Sequence, residues 1–218
     1  MQLKKGAEVF SGDGEKIGTL DRVVIDPRTR EVSSLVVGKG LFFRTDKVIP
    51  ITLVDLDIED RIVLKKTNQD VLQDFPDFET AHYVSLDEPD NPYYEAIDAS
   101  FWYPPVHPGW AMSNYVGHPM PKFVLKTDQD IPEGTIALEE GAKVVSRGGE
   151  HVGNVEQVIT ESQANRVTHF VISEGFLLKE RKLVPVVWVA KVAEDEIRLS
   201  IESSLFERLP EYQTTDQK

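Results

Sequence analysis

The sequence predicts an all-β protein built from two small barrels in tandem, and three observations support this prediction. The segment Gly6–Gly18 returns as Gly141–Gly153 at a constant offset of 135 positions, and the match continues without a gap to Leu64/Leu199. Within each copy, short apolar stretches alternate with polar residues at the spacing of β-strands. An apolar helical pattern then ends each copy, so several short strands and one terminal helix form each unit, as in a small barrel.

Each copy opens with a predicted hairpin. Ser11–Gly14 and Ser146–Gly149 supply small residues and a final glycine, where a tight turn needs unusual backbone angles. Gly18 and Gly153 lie inside the strand that follows. A glycine inside a strand indicates a β-bulge or a close approach of another backbone, so we expect one at each position.

The middle of each copy predicts a buried strand followed by a half-buried one. Val32–Val37 and Val167–Ile172 are apolar on both faces, which is typical of central strands. Val48–Val54 and Leu183–Val189 are each predicted as one strand that includes a proline. Their inward-facing triplets are Ile49, Ile51 and Leu53 in the first copy, and Val184, Val186 and Trp188 in the second.

The last strand and the helix of each copy are also predicted from pattern. Ile62/Leu64 and Ile197/Leu199 alternate with polar residues, which indicates a half-buried strand. Thr67–Asp70 has a helix-start signature, and Pro76 ends the helix. Ser204–Pro210 is the second helix, shifted by one residue.

These patterns divide the chain into four parts. We expect a first barrel at 1–78, a connecting segment at 79–135, a second barrel at 136–212 and a polar tail at 213–218. The connecting segment is acidic and rich in proline and aromatic residues, with a possible short strand at Phe123–Leu125. A flexible spacer would be poor in aromatic residues, so we expect an irregular segment whose rings pack on the barrels or bind a partner.

Composition excludes several classes of function. The net charge is −13 and no segment is basic, which argues against direct binding to nucleic acid. Cysteine is absent, so disulfides, thiolate nucleophiles and cysteine-based metal sites are excluded. No apolar run reaches the length of a membrane span, and the N-terminus lacks an apolar signal core. The sequence therefore predicts a cytoplasmic protein.

The repeated motif resembles the PRC-barrel family. The resemblance rests on the order Gly-x-x-Val/Ile-x-Ser-x-x-Gly-Glu-x-Val/Ile-Gly-x-Leu/Val-Asp/Glu, on the strand Ser34–Val37, and on a later Lys-Val/Leu-Ile/Val-Pro strand. The family includes the cytoplasmic part of the photosynthetic reaction-centre H subunit and the C-terminal domain of the ribosome-maturation factor RimM. The resemblance implies a scaffold or assembly factor that binds proteins, and no common active site.

The sequence therefore predicts a non-catalytic protein-interaction or assembly module, without a catalytic, cofactor or metal site. His82, His107 and His118 could ligate metal, but their spacing is irregular. One alternative is RNA processing or ribosome assembly, by analogy with the maturation-factor branch of the family. A third possibility is a barrel that binds a small molecule.

A candidate interaction surface follows from an apolar cluster shared by both copies. Leu41, Phe42 and Phe43 follow Gly40, and Phe176, Leu177 and Leu178 follow Gly175, where polar turns are expected. Isolated proteins rarely expose such clusters. Either the aromatic segment that contains Trp102, Tyr103 and Trp110 covers them, or they bind a protein partner or a second copy of the chain.

Overall fold

The computed structural model describes residues 1–4, 6–38, 45–58, 61–85, 123–139, 141–161, 164–174 and 180–213. Contacts group residues 1–78 and 130–218 into one compact unit, and residues 79–129 into another. The first unit thus contains both repeats. The division of the chain into two barrel modules and a connecting segment stays a prediction.

Each repeat contributes seven strands and one helix among the described residues. The first repeat has β1 (Gln2–Lys4), β2 (Glu8–Phe10), β3 (Lys16–Ile25), β4 (Val32–Gly38), β5 (Lys47–Pro50), β6 (Val54–Ile58), β7 (Arg61–Leu64) and α1 (Asn68–Asp74). The segment between the repeats has β8 (Glu79–Ser85) and β9 (Phe123–Gln129). The second repeat has β10 (Ile136–Glu139), β11 (Lys143–Val145), β12 (His151–Thr160), β13 (Val167–Glu174), β14 (Glu180–Pro185), β15 (Val189–Val192), β16 (Glu196–Leu199) and α2 (Ser203–Glu207).

The strands form two curled seven-stranded sheets of the same topology. Six strands of one sheet have the order β5-β4-β3-β2-β7-β6, and its seventh strand, β10, pairs with β3. Six strands of the other have the order β14-β13-β12-β11-β16-β15, and its seventh strand, β1, pairs with β12. Neighbouring strands are antiparallel except β2 with β7 and β11 with β16, which are parallel. The all-β prediction of two barrels in tandem is confirmed. The central strands are also as predicted, because Leu35, Val36 and Val37 of β4 are completely buried.

The two predicted proline strands are wrong in one respect, because each is broken into two. After Pro50 the chain makes a single 3₁₀ turn, Ile51–Leu53, before β6 begins, and Val186–Trp188 does the same after Pro185. Proline lacks the N–H that a continuing ladder needs. The turn carries the chain from one edge of its sheet to the other. Ile49, Ile51 and Val184 are buried as expected, whereas Leu53, Val186 and Trp188 are half-buried and pack against the core.

The predicted helix start at Thr67 is confirmed. The Thr67 hydroxyl accepts a hydrogen bond from the Asp70 N–H, and the Asp70 carboxylate accepts one from the Thr67 N–H in return. This capping box satisfies two backbone donors that the first turn of a helix leaves unpaired. The helix ends at Asp74, two residues before Pro76.

The two repeats exchange their first strands. Strand β1 of the first repeat pairs with β12 of the second, while β10 of the second pairs with β3 of the first. The registers correspond, since Leu3 faces Val158 and Leu138 faces Val23, each shifted by the repeat offset. The repeats are therefore related by a pseudo-twofold arrangement of the kind that relates the subunits of a symmetric dimer.

The exchange gives the two repeats a common hydrophobic core. One cluster of buried apolar side chains contains residues of both repeats, including the exchanged Leu3 and Leu138. A second, smaller cluster covers the opposite face of β3 to β5 and contains Val24, Val36, Val48, Phe78 and Ala137. Burial of this apolar surface is the main stabilising contribution, and neither repeat supplies the whole core alone.

The connecting segment contains a regular ladder at its two ends. Strands β8 and β9 pair antiparallel over seven positions, from Glu79 with Gln129 to Ser85 with Phe123. The strand predicted at Phe123–Leu125 is confirmed as part of β9. Residues 86–122 lie outside the described residues.

Candidate functional site

The predicted interaction surface lies outside the described residues. Leu41–Phe43 and Phe176–Leu178 are outside them, and so are Trp102, Tyr103 and Trp110. The surface stays a prediction. The serine, glycine and lysine that both copies share lie within the described residues.

The shared serine closes the first hairpin of each repeat. Ser11 and Ser146 are completely buried, and their hydroxyl oxygens accept hydrogen bonds from the N–H of Glu15 and Glu150, both at 3.2 Å. The last residue of each turn, Gly14 or Gly149, has a φ near +88°, which glycine adopts without strain. A buried hydroxyl with its hydrogen bonds satisfied inside a turn is a structural element, not a nucleophile.

The shared glycines in the long strands allow a close backbone crossing. A Cβ atom on Gly18 would lie 2.4 Å from the carbonyl oxygen of Gly38, and one on Gly153 would lie 2.6 Å from that of Ser173. The ladder register also shifts beside each glycine, which is a β-bulge. Both sequence predictions for these glycines are confirmed, and the role is again structural.

The shared lysine before the proline turn binds the end of the closing helix. The Lys47 Nζ donates to the carbonyl of Phe75 at 3.0 Å, and the Lys182 Nζ donates to the carbonyls of Glu207 and Leu209 at 3.4 and 2.9 Å. A cation is favourable there because the carbonyls at a helix C-terminus are unpaired and partly negative. Sequence analysis recognised the lysine as part of a motif but did not find this role.

Two loops join the repeats at their pseudo-twofold axis. The Val32 N–H donates to the Asn165 carbonyl at 2.9 Å, and the Val167 N–H donates to the Arg30 carbonyl at 2.8 Å. Arg30 and Asn165 occupy equivalent positions, and both have positive φ angles, +63° and +49°. Asparagine tolerates this left-handed conformation better than arginine does.

The turn that carries Arg30 is well ordered by its own hydrogen bonds. The Asp26 carboxylate accepts the N–H of Arg28 at 2.7 Å, and the Asp26 carbonyl accepts the N–H of Arg30 at 2.7 Å. The hydrogen bond from the Arg28 N–H lowers the pKa of Asp26 below its ordinary value. The left-handed backbone of Arg30 is therefore maintained by a complete turn on one side and by the second repeat on the other.

Beside Arg30, a groove of about 390 Å³ opens between the first repeat and the proline turn of the second. Among the residues that the structure describes, the charged ones that line it are Arg30 and Lys191. The remainder of the lining consists of apolar side chains from both repeats: Ile25, Pro27, Ile136, Val167, Phe170, Val186, Val189, Ala190 and Val192. Hereafter we call this site the inter-repeat groove. Its volume lies in the range of pockets that bind small molecules.

Neither cation of the inter-repeat groove has a carboxylate partner among the described residues. Arg30 and Lys191 form no ion pair or side-chain hydrogen bond there. Glu196 lines a neighbouring pocket with Lys191, but it pairs with Arg198 at 3.3 Å instead. Two unpaired cations are thus left beside an apolar surface in a chain with 37 acidic and 24 basic residues.

The equivalent positions in the other copy have different chemistry. Asn165 replaces Arg30, Leu56 replaces Lys191, and the acidic residues Asp55 and Asp57 replace Ala190 and Val192. Sequence analysis missed the inter-repeat groove because its lining comes from four separate segments of the chain, 25–30, 136, 167–170 and 186–192. The only sequence signal was that Arg30 and Lys191 have no basic residue at the equivalent positions 165 and 56.

A second difference between the repeats concerns a half-buried carboxylate on the long strand. Burial raises the pKa of Asp21 above its ordinary value, and the negative charges of Asp46 and Glu139 raise it further. The Arg22 guanidinium, 3.3 Å away, opposes this rise. In the second repeat, the equivalent Glu156 forms an ion pair with Arg181 at 2.6 Å. Arg181 occupies the position that Asp46 has in the first repeat.

A metal-binding cluster and a membrane-spanning helix are both absent from the part of the chain that the structure describes. Within it, no group of three or more histidine, aspartate or glutamate side chains is arranged to hold a metal ion. No helix among the same residues has the length and apolarity needed to cross a bilayer.

Comparison with known proteins agrees with the topology and with the repeat. A family model for the PRC-barrel domain matches residues 5–72 and again residues 140–204. These two matches cover the serine hairpin, the bulge glycine and the lysine–proline strand of both copies. No curated protein matches the chain. The chain therefore belongs to the PRC-barrel domain family, with two copies of the domain whose shared residues serve the fold.

Proposed function

We propose that this protein is a non-catalytic interaction or assembly module that acts in the cytoplasm and binds a protein partner. The observation that supports this most directly is that the residues shared by the two copies serve the fold, whereas several surface residues differ between the copies. Among the described residues, the side chains shared by the two copies close hairpins, permit backbone crossings or bind helix ends, while several charged surface positions differ. A reaction common to the family would require shared reactive side chains, whereas binding surfaces can diverge freely.

Exposed apolar side chains in the second repeat support the same proposal. Val187 is 64% exposed and Leu205 is 45% exposed. The position equivalent to Val187 in the first repeat is Thr52, which is polar. Both lie in the second repeat, and exposed apolar side chains among the described residues suit a surface that is covered by a partner.

The test uses the two predicted apolar clusters as a matched pair of variants. One variant replaces Leu41, Phe42 and Phe43 with serine, and the other replaces Phe176, Leu177 and Leu178. Sedimentation velocity and chemical crosslinking measure association, and thermal melting measures stability. If a cluster is an interface, its variant keeps its melting temperature and loses self-association or its crosslinked protein partner.

Other outcomes would contradict an interface at these clusters. A lower melting temperature with unchanged association shows that the cluster is covered within the molecule. If neither quantity changes in either variant, the candidate surface has no role in binding. Retention of the wild-type protein on RNA that weakens steeply with added salt would favour the RNA-processing alternative instead.

A further inference from the structure

We propose that the inter-repeat groove is a binding site for a small amphipathic carboxylate, meaning an apolar chain or ring that ends in one anionic group. This site goes beyond the proposed protein-interaction function, and its test does not use the clusters at 41–43 and 176–178. The proposal rests on the lining of the groove, on the two cations beside it and on the backbone of Arg30.

The lining selects an apolar body. Side chains such as Phe170, Val189 and Val192 form the walls, and among the described residues only Arg30 and Lys191 bring polar side chains to the lining. A sugar or a nucleotide would lose water from many hydroxyl or amide groups, and these two donors could replace only a small part of it. An alkyl or aryl group incurs no such cost and gains from leaving water.

The charges select an anionic end. Arg30 and Lys191 come from different repeats and line the same groove without carboxylate partners among the described residues. Hydrogen bonds from a cation to a carboxylate are roughly twice as strong as those between neutral groups. Because the other described lining residues are apolar, a carboxylate beside Arg30 or Lys191 leaves the body of the ligand to lie along the walls.

The backbone of Arg30 is a separate observation that points to the same site. Its φ of +63° is strained for arginine, whereas the equivalent Asn165 suits its own φ of +49°. Strained non-glycine residues are concentrated at functional sites. Asparagine at position 30 would satisfy the turn better, so the arginine is explained by its side chain and not by the fold.

An added peptide strand is a poorer occupant than a small molecule. Strand β15 forms one wall of the groove and lies at the edge of its sheet, but it is only four residues long. A bulge between Val189 and Lys191 also interrupts its ladder. Short, bulged edges offer few regular backbone hydrogen bonds to an incoming strand.

Decanoate is the probe for the experiment, with decanol and acetate as matched controls. Decanol keeps the chain without the charge, and acetate keeps the charge without the chain. Titration calorimetry of the full-length protein, below the micelle concentration, is expected to show saturable binding of decanoate at one site. Decanol is expected to bind at least about tenfold more weakly, and acetate not measurably, because each lacks one half of the recognition.

Each groove variant takes its residue from the equivalent position of the other repeat. Arg30→Asn and Lys191→Leu introduce the residues found at the equivalent positions 165 and 56, and each is expected to weaken decanoate binding about tenfold. Ala190→Asp introduces the equivalent Asp55 and is expected to weaken binding by like-charge repulsion. Lys143→Gln removes an exposed lysine of β11 that does not line the groove, and it should leave binding unchanged.

Melting temperatures of all four variants show whether the fold is intact, and Arg30→Asn should melt at the same temperature or higher. Methyl NMR of the wild-type protein locates the site independently, with decanoate-induced shifts expected at Ile25, Val189 and Val192. Three results would overturn the proposal: no saturable binding of decanoate at millimolar concentration, binding that is unaffected by Arg30→Asn and Lys191→Leu together, or methyl shifts elsewhere in the protein. None of these results bears on the protein-interaction proposal, whose test uses different residues and a different readout.

Discussion

The first repeat places Asp21 beside Asp46, whereas the second places Glu156 beside Arg181, on backbones that follow the same plan. A like-charge pair in one copy is therefore an ion pair in the other. The proline turns differ in the same way, with Asp55 and Asp57 in the first repeat and Ala190 and Val192 in the second. The comparison teaches that the fold tolerates reversal of its surface charge as long as the buried serine, bulge glycine and capping lysine are kept.

The largest effect is expected from separating the repeats. The first barrel predicted at 1–78 implies that a fragment ending after Phe78 folds alone, but the structure gives the long strand β3 an additional partner, β10, from the second repeat. We expect residues 1–78 to form a symmetric dimer in which β1 of each copy takes the place of β10 in the other. Light scattering after size-exclusion chromatography measures its mass. A folded monomer at micromolar concentration, with dispersed amide signals, would show that one repeat completes its own core.

The next largest effect is expected at the bulge glycines. Gly18→Ala and Gly153→Ala each place a Cβ against a backbone carbonyl, which cannot move aside easily, so each should cost about 3 kcal/mol or more. The second should cost more because Gly153 also has a φ of +144°. Urea unfolding measures both. Gly148→Ala is the control, since its Cβ would lie 3.3 Å from the flexible end of Glu202 and in ordinary contact with the Ser146 Oγ at 3.8 Å, so it should change stability little.

A moderate effect is expected at the capping lysines. Lys182→Met leaves two helix-terminal carbonyls unpaired and should cost about 1–3 kcal/mol. Lys47→Met should cost a similar amount near neutral pH, but part of that cost should depend on pH. The hydrogen bond from Lys47 is the largest cause that lowers the pKa of Asp77, and the Thr45 hydroxyl lowers it further.

The sign of this pH dependence follows from linkage. A carboxyl whose pKa is depressed in the folded state stabilises the protein above its ordinary value of 3.8, and this stability is lost as the pH falls through the folded pKa. The difference between wild type and Lys47→Met should therefore narrow below pH 3.8, while the cost of Lys182→Met persists. Parallel shifts of both variants across the acid range would contradict the role assigned to Asp77.

The smallest effect is expected at the carboxylate pair that opens the comparison. The pKa of Asp21 is raised, so its charge destabilises the folded state as the pH rises above 3.8. Asp21→Asn should therefore stabilise the protein at pH 7, by less than about 1 kcal/mol because the side chain is 40% exposed and screened. The gain should vanish at acid pH. Glu156→Gln should have the opposite sign, since it breaks the pair with Arg181, and equal signs in calorimetric melting would refute the comparison.

Much of the architecture could be predicted from local sequence. The capping box at Thr67, the hairpin at Ser11–Gly14 and the bulge at Gly18 each depend on residues that lie close together in the chain. Their chemistry is local, so a pattern of a few residues is enough to identify them. The proline turn was harder, because Pro50 is equally compatible with the start of a strand and with its interruption.

Sequence by itself determined the repeated plan of this protein: two copies of one barrel motif, strand order by alternation, and turns by glycine and serine. Only the tertiary structure decided that β1 and β10 are exchanged between the copies, because an isolated three- or four-residue strand carries no information about which long strand it joins. Only the tertiary structure placed Arg30 and Lys191, 161 positions apart in number, beside one groove. The physical reason is that strand pairing and grooves form between residues distant in the chain, where burial of the shared core, and not local preference, determines which segments meet.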